Sequence, residues 1–149
     1  MAKRTSIDPY TAFKFEVVIA NFPVGGFSEV TGLQAETEVE DIREGGVNNY
    51  THKFVKIAKY HNLVLKRGIT EEQRLWEWYL DVAEKGVIEK RDITVILNDR
   101  YNQRQKTWQW TFSNAYPVKW VGSDLNATRD VLFIETIEFA HHGMKKGAG

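Results

Sequence analysis

Between Lys106 and Ser113 the chain reads K-T-W-Q-W-T-F-S, with Trp108, Trp110 and Phe112 alternating against Thr107, Gln109, Thr111 and Ser113. Successive side chains of an extended strand point to opposite faces, so this segment carries one aromatic face and one hydroxyl- and amide-bearing face. An α-helix would scatter the same residues around its circumference. A strand split in this way belongs in a sheet covered on its apolar side and open to water on the other.

Several further segments offer to pair with it. Phe13, Phe15, Val17 and Ile19 alternate with Lys14 and Glu16, until Pro23 and Gly25-Gly26 interrupt. Phe27 to Leu33 is extended, with Gly32 as a bend or bulge. From Gln34 to Glu40 the even positions carry Glu36, Glu38 and Glu40 against Ala35, Thr37 and Val39, which predicts a strand with an acidic face. His61–Lys66 is a strand, and so is Ile93–Leu97, which ends in a turn at Asn98-Asp99. Tyr116-Pro117 is expected to end the aromatic strand, because proline cannot donate to a ladder. Val131–Ala140 is apolar on both faces, as in a buried strand or an intersubunit seam.

One stretch has helical period. Thr70 and Gln73 have the spacing of a capping box, and Lys85-Gly86 supplies a stop. Leu75, Trp76, Tyr79, Leu80, Val82 and Ala83 form its apolar face. Trp78 falls at the border on the polar side, so Glu77 and Trp78 are predicted to project outward. Asp41–Tyr60 reads as a long connection whose Tyr50, Phe54, Ile57 and Tyr60, with Arg43, mark a contact surface. The expected fold is mainly β with one α-helix, a sandwich or small barrel. All 149 residues make a single domain, with 1–9 and 144–149 as mobile termini.

Composition narrows the chemistry. Twenty Lys and Arg balance twenty Asp and Glu, so no net charge draws the chain to nucleic acid or an anionic membrane. No cysteine is present, which removes disulfides, thiolate metal sites and thiol nucleophiles. No segment approaches the roughly 20 apolar residues of a bilayer-spanning helix, and no signal-like run follows the start. The chain is therefore expected to be made soluble in a cytoplasm. No serine lies in a nucleophile elbow and no Walker or dinucleotide loop occurs. His141 and His142 would alternate faces if extended, and Glu36, Glu38 and Glu40 recur about 7 Å apart, too far to share one ion. Lys53, Lys56 and Lys59 among aromatics are too short a basic run for a nucleic-acid site in a neutral chain. No enzymatic activity, cofactor or metal is expected.

The order of phrases resembles a known family. DPYTAFKFEVVIANFPVGGFSEVTGL, then Glu38–Gly46, Leu65–Gly68, Trp76–Tyr79, Asp92–Asp99, Trp110–Pro117 and Ile134–Gly143, is similar to contractile (myophage-type) phage tail tube proteins. That family also occurs in phage-tail-like contractile injection systems and is related to type VI secretion tube proteins. The resemblance covers roughly residues 10–143. It implies a structural subunit of the inner tube, with hexameric rings stacking inside a sheath and the inner sheets joining into one ring-wide barrel. Its partners would be further copies of itself, sheath protein, and baseplate, tube-initiator and terminator proteins. DNA or other cargo would pass without specific binding, in a virion tail or an extracellular or cell-associated injection particle. The connection at 41–60 would reach a neighbouring subunit.

Joined to the strand faces, this places Glu36, Glu38, Glu40, Thr107, Gln109, Thr111 and Ser113 on the lumen. The outward Glu77 and Trp78 would then meet sheath. A tube initiator or baseplate adaptor of the same fold is the alternative, and a monomeric small-ligand β-barrel a more distant one.

Overall fold

A computed structural model of the chain describes residues 13–22, 24–42, 52–99, 108–128 and 132–147. Its elements are β1 (Phe13–Ile19), β2 (Glu29–Thr31), β3 (Ala35–Glu36), β4 (Val39–Ile42), β5 (His52–Val55), β6 (Lys59–Tyr60), β7 (Leu63–Gly68), α1 (Arg74–Ala83), β8 (Arg91–Asp99), β9 (Trp108–Gly122), β10 (Ile134–Ala140) and β11 (Met144–Gly147). The predicted class, mainly β with one helix, is the observed one. Seven strands join in one antiparallel sheet, in the order β1-β8-β9-β10-β7-β2 with β11 also on β9. The sheet is not closed: β1 and β2 end its main path, and β11 is a third terminal strand, on β9.

The aromatic strand organises this architecture, and it is longer than predicted. Tyr116-Pro117 does not end β9, which runs on to Gly122 by bending twice. Its first half pairs with β8 (Phe112 opposite Ile93) and its second half with β10 (Trp120 opposite Ile137). The first bend is a bulge at Ser113-Asn114. There Asn114 takes a left-handed φ of 52° and its N–H donates to Asp92 Oδ1 at 3.0 Å. Asparagine tolerates that backbone better than most residues. The second register shift opposes Pro117 to Phe139, so the proline's missing donor falls at an irregular step of the ladder.

The face inside this bend is the core. Val17 and Ile19 of β1, Ile93 and Val95 of β8, Phe112 and Ala115 of β9, Ile137 and Phe139 of β10, and Leu63 and Leu65 of β7 are all buried. Burying each large side chain contributes about 1.5–3 kcal/mol. Helix α1 closes the open side with Leu75 and Trp78. The chain enters β3 past Gly32, whose φ is +102° and whose missing Cβ leaves room for the Asn62 carbonyl.

Two termini of elements differ from expectation. The helix begins at Arg74, and Gln73 makes no side-chain cap bond, so the Thr70/Gln73 capping box does not form. Glu72 takes that role, accepting the Arg74 N–H at 2.6 Å, while Arg67 bonds the Glu72 carbonyl and carboxylate and holds the entry non-helical. The Gly86 stop forms as predicted, with φ +66° and the Val87 N–H donating to the Asp81 carbonyl at 3.0 Å. The tail from residue 144, expected to be mobile, instead supplies β11, with Met144 opposite Phe112 and Gly147 opposite Gln109. Lys146 Nζ sits 3.5 Å from the centre of the Trp108 ring, a cation–π contact.

Candidate assembly surfaces

The segment expected to hold one acidic strand and then a long loop is a two-stranded ribbon. Ala35 and Glu36 pair with Tyr60 and Lys59, and Val39–Ile42 pair with Val55–His52. Between the two ladders, Lys56–Ala58 oppose only Thr37 and Glu38, a bulge. The Lys56 N–H donates to the Glu38 carbonyl at 2.9 Å and carries the pairing across it. Ile57 lies in this bulge and is 92% exposed, and neighbouring Val55 is 74% exposed. Phe54 stands in β5 opposite Glu40, while Arg43 and Tyr50 lie outside the described residues.

Charge divides the ribbon lengthwise. The outgoing strand carries Glu36, Glu38, Glu40 and Asp41, and the returning strand carries Lys53, Lys56 and Lys59. Glu38 bonds Lys59 and lies 3.9 Å from Lys56 Nζ. The hydrogen bond and charge of Glu38 raise the Lys59 pKa above the ordinary lysine value. A raised lysine contributes its pairing fully below that ordinary value and loses it only as pH climbs through the raised one, so the pair is complete at neutral pH.

The ribbon's root is buckled to the body. Tyr60 packs its ring 5.9 Å from that of His141. His141 Nδ1 accepts the Gly143 N–H at 3.1 Å, so Nε2 carries the proton donated to the His61 carbonyl at 2.8 Å. Tyr60, predicted as part of an intersubunit loop, rests its ring against His141 of its own chain and stays 40% exposed. His141 serves structure, its ring set edge-on to Phe112.

Gln109, Thr111 and Ser113 occupy the sheet face opposite the core, as the alternation predicted, whereas Thr107 lies outside the described residues. Cross-strand neighbours there are Thr94, whose hydroxyl lies 3.1 Å from that of Thr111, and Ile96. Lys14 and Glu16 of β1 and Lys145 of β11 complete a polar face of mixed charge. Glu36, Glu38 and Glu40 do not join it; they belong to the ribbon's separate ladders.

The helix corrects a further expectation. Trp78 is 3% exposed and belongs to the core, between Phe22 and Phe139 with ring centroids at 5.4 and 5.3 Å. Its indole N–H donates to the Glu89 carbonyl at 2.8 Å, and the Arg91 guanidinium lies over its ring. Glu77 is exposed as predicted, and the outward tryptophan is Trp76, edge-on to Trp120 at 4.8 Å. Leu75, Trp78 and Val82 make the inward stripe, an i, i+3, i+7 series already present in the sequence.

Beneath Trp76 and Trp120 lies a hollow of about 260 Å³, with Ile69, Thr70, Glu72, Gln73 and Glu135 as its other walls. Its base is a buried ion pair. Arg67 Nε binds Glu135 Oε1, Trp120 Nε1–H donates to Glu135 Oε2 at 3.0 Å, and Arg67 reaches Glu72 at 3.1 Å. Every charge in this group is answered, as buried charges require. Among the described residues no three His, Asp or Glu side chains converge on a metal position.

The model of the T4-like virus tail tube protein gp19 family matches residues 11–145. The chain belongs to the tail tube family. It is a structural tube subunit, and the initiator alternative is not favoured over that role. No curated protein matches it in sequence.

Solved structures share the tail tube fold. A chain of the extracellular contractile injection system PVC sheath–tube complex in its extended state is 22% identical with a TM-score of 0.79, covering 97% of this chain and 95% of that one. A chain of the anti-feeding prophage tube-terminating cap is 20% identical with a TM-score of 0.79, covering 100% and 95%. A type six secretion system protein is 13% identical with a TM-score of 0.59, covering 91% and 83%.

Proposed function

We propose that this chain builds hexameric rings that stack into the inner tube of a contractile phage tail or tail-like injection particle. The observation that carries this reading is the open sheet. A seven-stranded antiparallel sheet that ends in β1 and β2 leaves two rows of backbone donors and acceptors available. Joining one subunit's β1 edge to the next subunit's β2 edge covers both at every junction, and only a closed ring covers them in every subunit. The polar face bearing Gln109, Thr111 and Ser113 then lines the lumen. Hydroxyls and amides hold water and offer little apolar area, so DNA or other cargo slides past. The exposed helix face, Glu77 with Trp76, is the outward surface toward sheath, with baseplate and terminator proteins at the tube's ends.

The subunit is made in the bacterial cytoplasm, and its role is structural and not catalytic, a reading supported by its membership of the tail tube family. Negative-stain microscopy of the purified protein, with light scattering, tests the reading. Long tubes or stacked rings are expected, and tubes sheathed on co-expression with the sheath protein. Isolated rings that never stack would make it a tube initiator. A monomer at every concentration would overturn the proposal.

A further inference from the structure

The hollow walled by Trp76 and Trp120 carries more negative charge at its base than positive. Two carboxylates, Glu72 and Glu135, share one guanidinium, that of Arg67. This guanidinium is fully committed. Its Nε binds Glu135, and one terminal nitrogen donates to the Glu72 carbonyl and carboxylate at 3.4 and 3.1 Å. The other terminal nitrogen reaches the Gly25 carbonyl at 3.5 Å, and the group lies 5.6 Å from the centre of the Phe27 ring. An entering anion would meet no free cation in these walls, and two carboxylates would repel it.

The carboxylates keep capacity for further donors, because each oxygen can accept twice. Glu135 Oε2 holds one bond, from Trp120 Nε1–H at 3.0 Å. Glu72 Oε1 accepts the Arg74 N–H at 2.6 Å, while the half-exposed Arg74 side chain stands 3.8 Å away in a loose surface pair. Above the carboxylates the two indoles meet at 63°, and Ile69 beside them is exposed. An aromatic face attracts a cation, an apolar wall takes a hydrocarbon stem, and a carboxylate takes N–H donors. Charge, ring faces and acceptors thus favour one kind of guest.

We infer that this hollow is a binding site for an organic cation, a guanidinium or ammonium group on a short hydrocarbon stem. The head group lies against Glu72 and Glu135, and the stem runs along Ile69 and the indoles. A space of about 260 Å³ suits such a group and is too small for a bulky ligand. The site is built within one subunit, so it goes beyond the tube reading and does not depend on it.

Solution NMR of the full chain as dissociated subunits, titrated with butylguanidinium, follows its five indole N–H signals. Those of Trp76 and Trp120 are expected to move with a Kd on the order of 1 mM, while that of Trp108 stays still. Butylurea, similar in shape but uncharged, is expected to bind at least about tenfold more weakly, and valerate not measurably. Trp76→Leu and Glu72→Gln are each expected to weaken binding by about tenfold, and Trp76→Tyr, which keeps a ring face, by about threefold or less. Circular dichroism confirms that each variant is folded. Equal binding of butylurea and butylguanidinium overturns the inference. So do still indole signals at Trp76 and Trp120, or wild-type affinity in both Trp76→Leu and Glu72→Gln.

Equilibrium dialysis of butylguanidinium against bare and sheathed tubes then identifies the natural guest. Sites that stay open under sheath take a free small cation, and sites that the sheath closes take one of its basic side chains. If the chain forms no tubes, the tube reading fails and the measurement on subunits still decides the site.

Discussion

Trp78 shows how one side chain ties three parts of the molecule together. Its ring fills the space between Phe22 and Phe139, its N–H holds the Glu89 carbonyl after the helix, and Arg91 spans its face while binding the Ala20 and Asn21 carbonyls at 2.9 and 3.1 Å. Trp78→Ala is therefore expected to destabilise the subunit by about 3–5 kcal/mol, the usual range for deleting a large buried aromatic. Trp78→Phe keeps most of the packing but leaves the Glu89 carbonyl unpaired, with an expected loss of about 1–2 kcal/mol. Urea unfolding of the dissociated subunit measures both. Losses near zero would mean that Trp78 is not a core residue. The helical wheel placed this residue at a border because Leu75, Trp76, Tyr79, Leu80, Val82 and Ala83 set the centre of the apolar face. The fold buries the overlapping stripe Leu75, Trp78 and Val82 and leaves Trp76 outward. Packing of Trp78 against Phe22 and Phe139 decides between the two stripes, and no local pattern announces it.

At the level of elements, alternation was the reliable signal. The β1 face with Val17 and Ile19, the β8 face with Ile93 and Val95, and the polar row at Gln109, Thr111 and Ser113 were all legible, because a half-buried strand writes its burial directly into its residues. Where a strand changes partner midway, the pattern breaks. Tyr116-Pro117 resembles an ending, and only the pairing with β10 shows a bend there. The ribbon was legible as acidic and basic runs but not as a hairpin, since its exposed strands bury too little to alternate. β11 was hidden for a similar reason: Met-Lys-Lys-Gly has no apolar rhythm, yet Met144 packs on the core and Lys146 on Trp108. Ending the chain at Gly143 is expected to remove about 2–3 kcal/mol and lower the melting temperature by about 5–10 °C, while exposing a β9 edge that promotes aggregation. Differential scanning calorimetry checks the first effect and light scattering the second. An unchanged melting temperature would show that β11 is dispensable.

For the whole molecule, an antiparallel sheet whose main path ends in β1 and β2 predicts where assembly leaves its mark. Amides of β1 and β2 that point away from the sheet have no partner within the described chain. In rings they are expected to exchange hydrogen at least about tenfold more slowly than in dissociated subunits, while amides inside β8 and β9 change little. Hydrogen exchange with mass spectrometry resolves the two classes, and equal rates in both states would remove β1 and β2 from the subunit junction. The formal net charge of zero fits the same picture, because subunits without mutual repulsion meet readily.

The doubled bend of β9 also bears on force. One continuous backbone from Trp108 to Gly122 is stitched to β8 and β11 along its first half and to β10 along its second. A pull along that backbone loads the stitches together, so none can be peeled off in turn. In the tube proposed above the strand is then a tie rod between the wall of a conduit and the layer that carries its helix, and a sudden axial thrust on one is shared at once by the other.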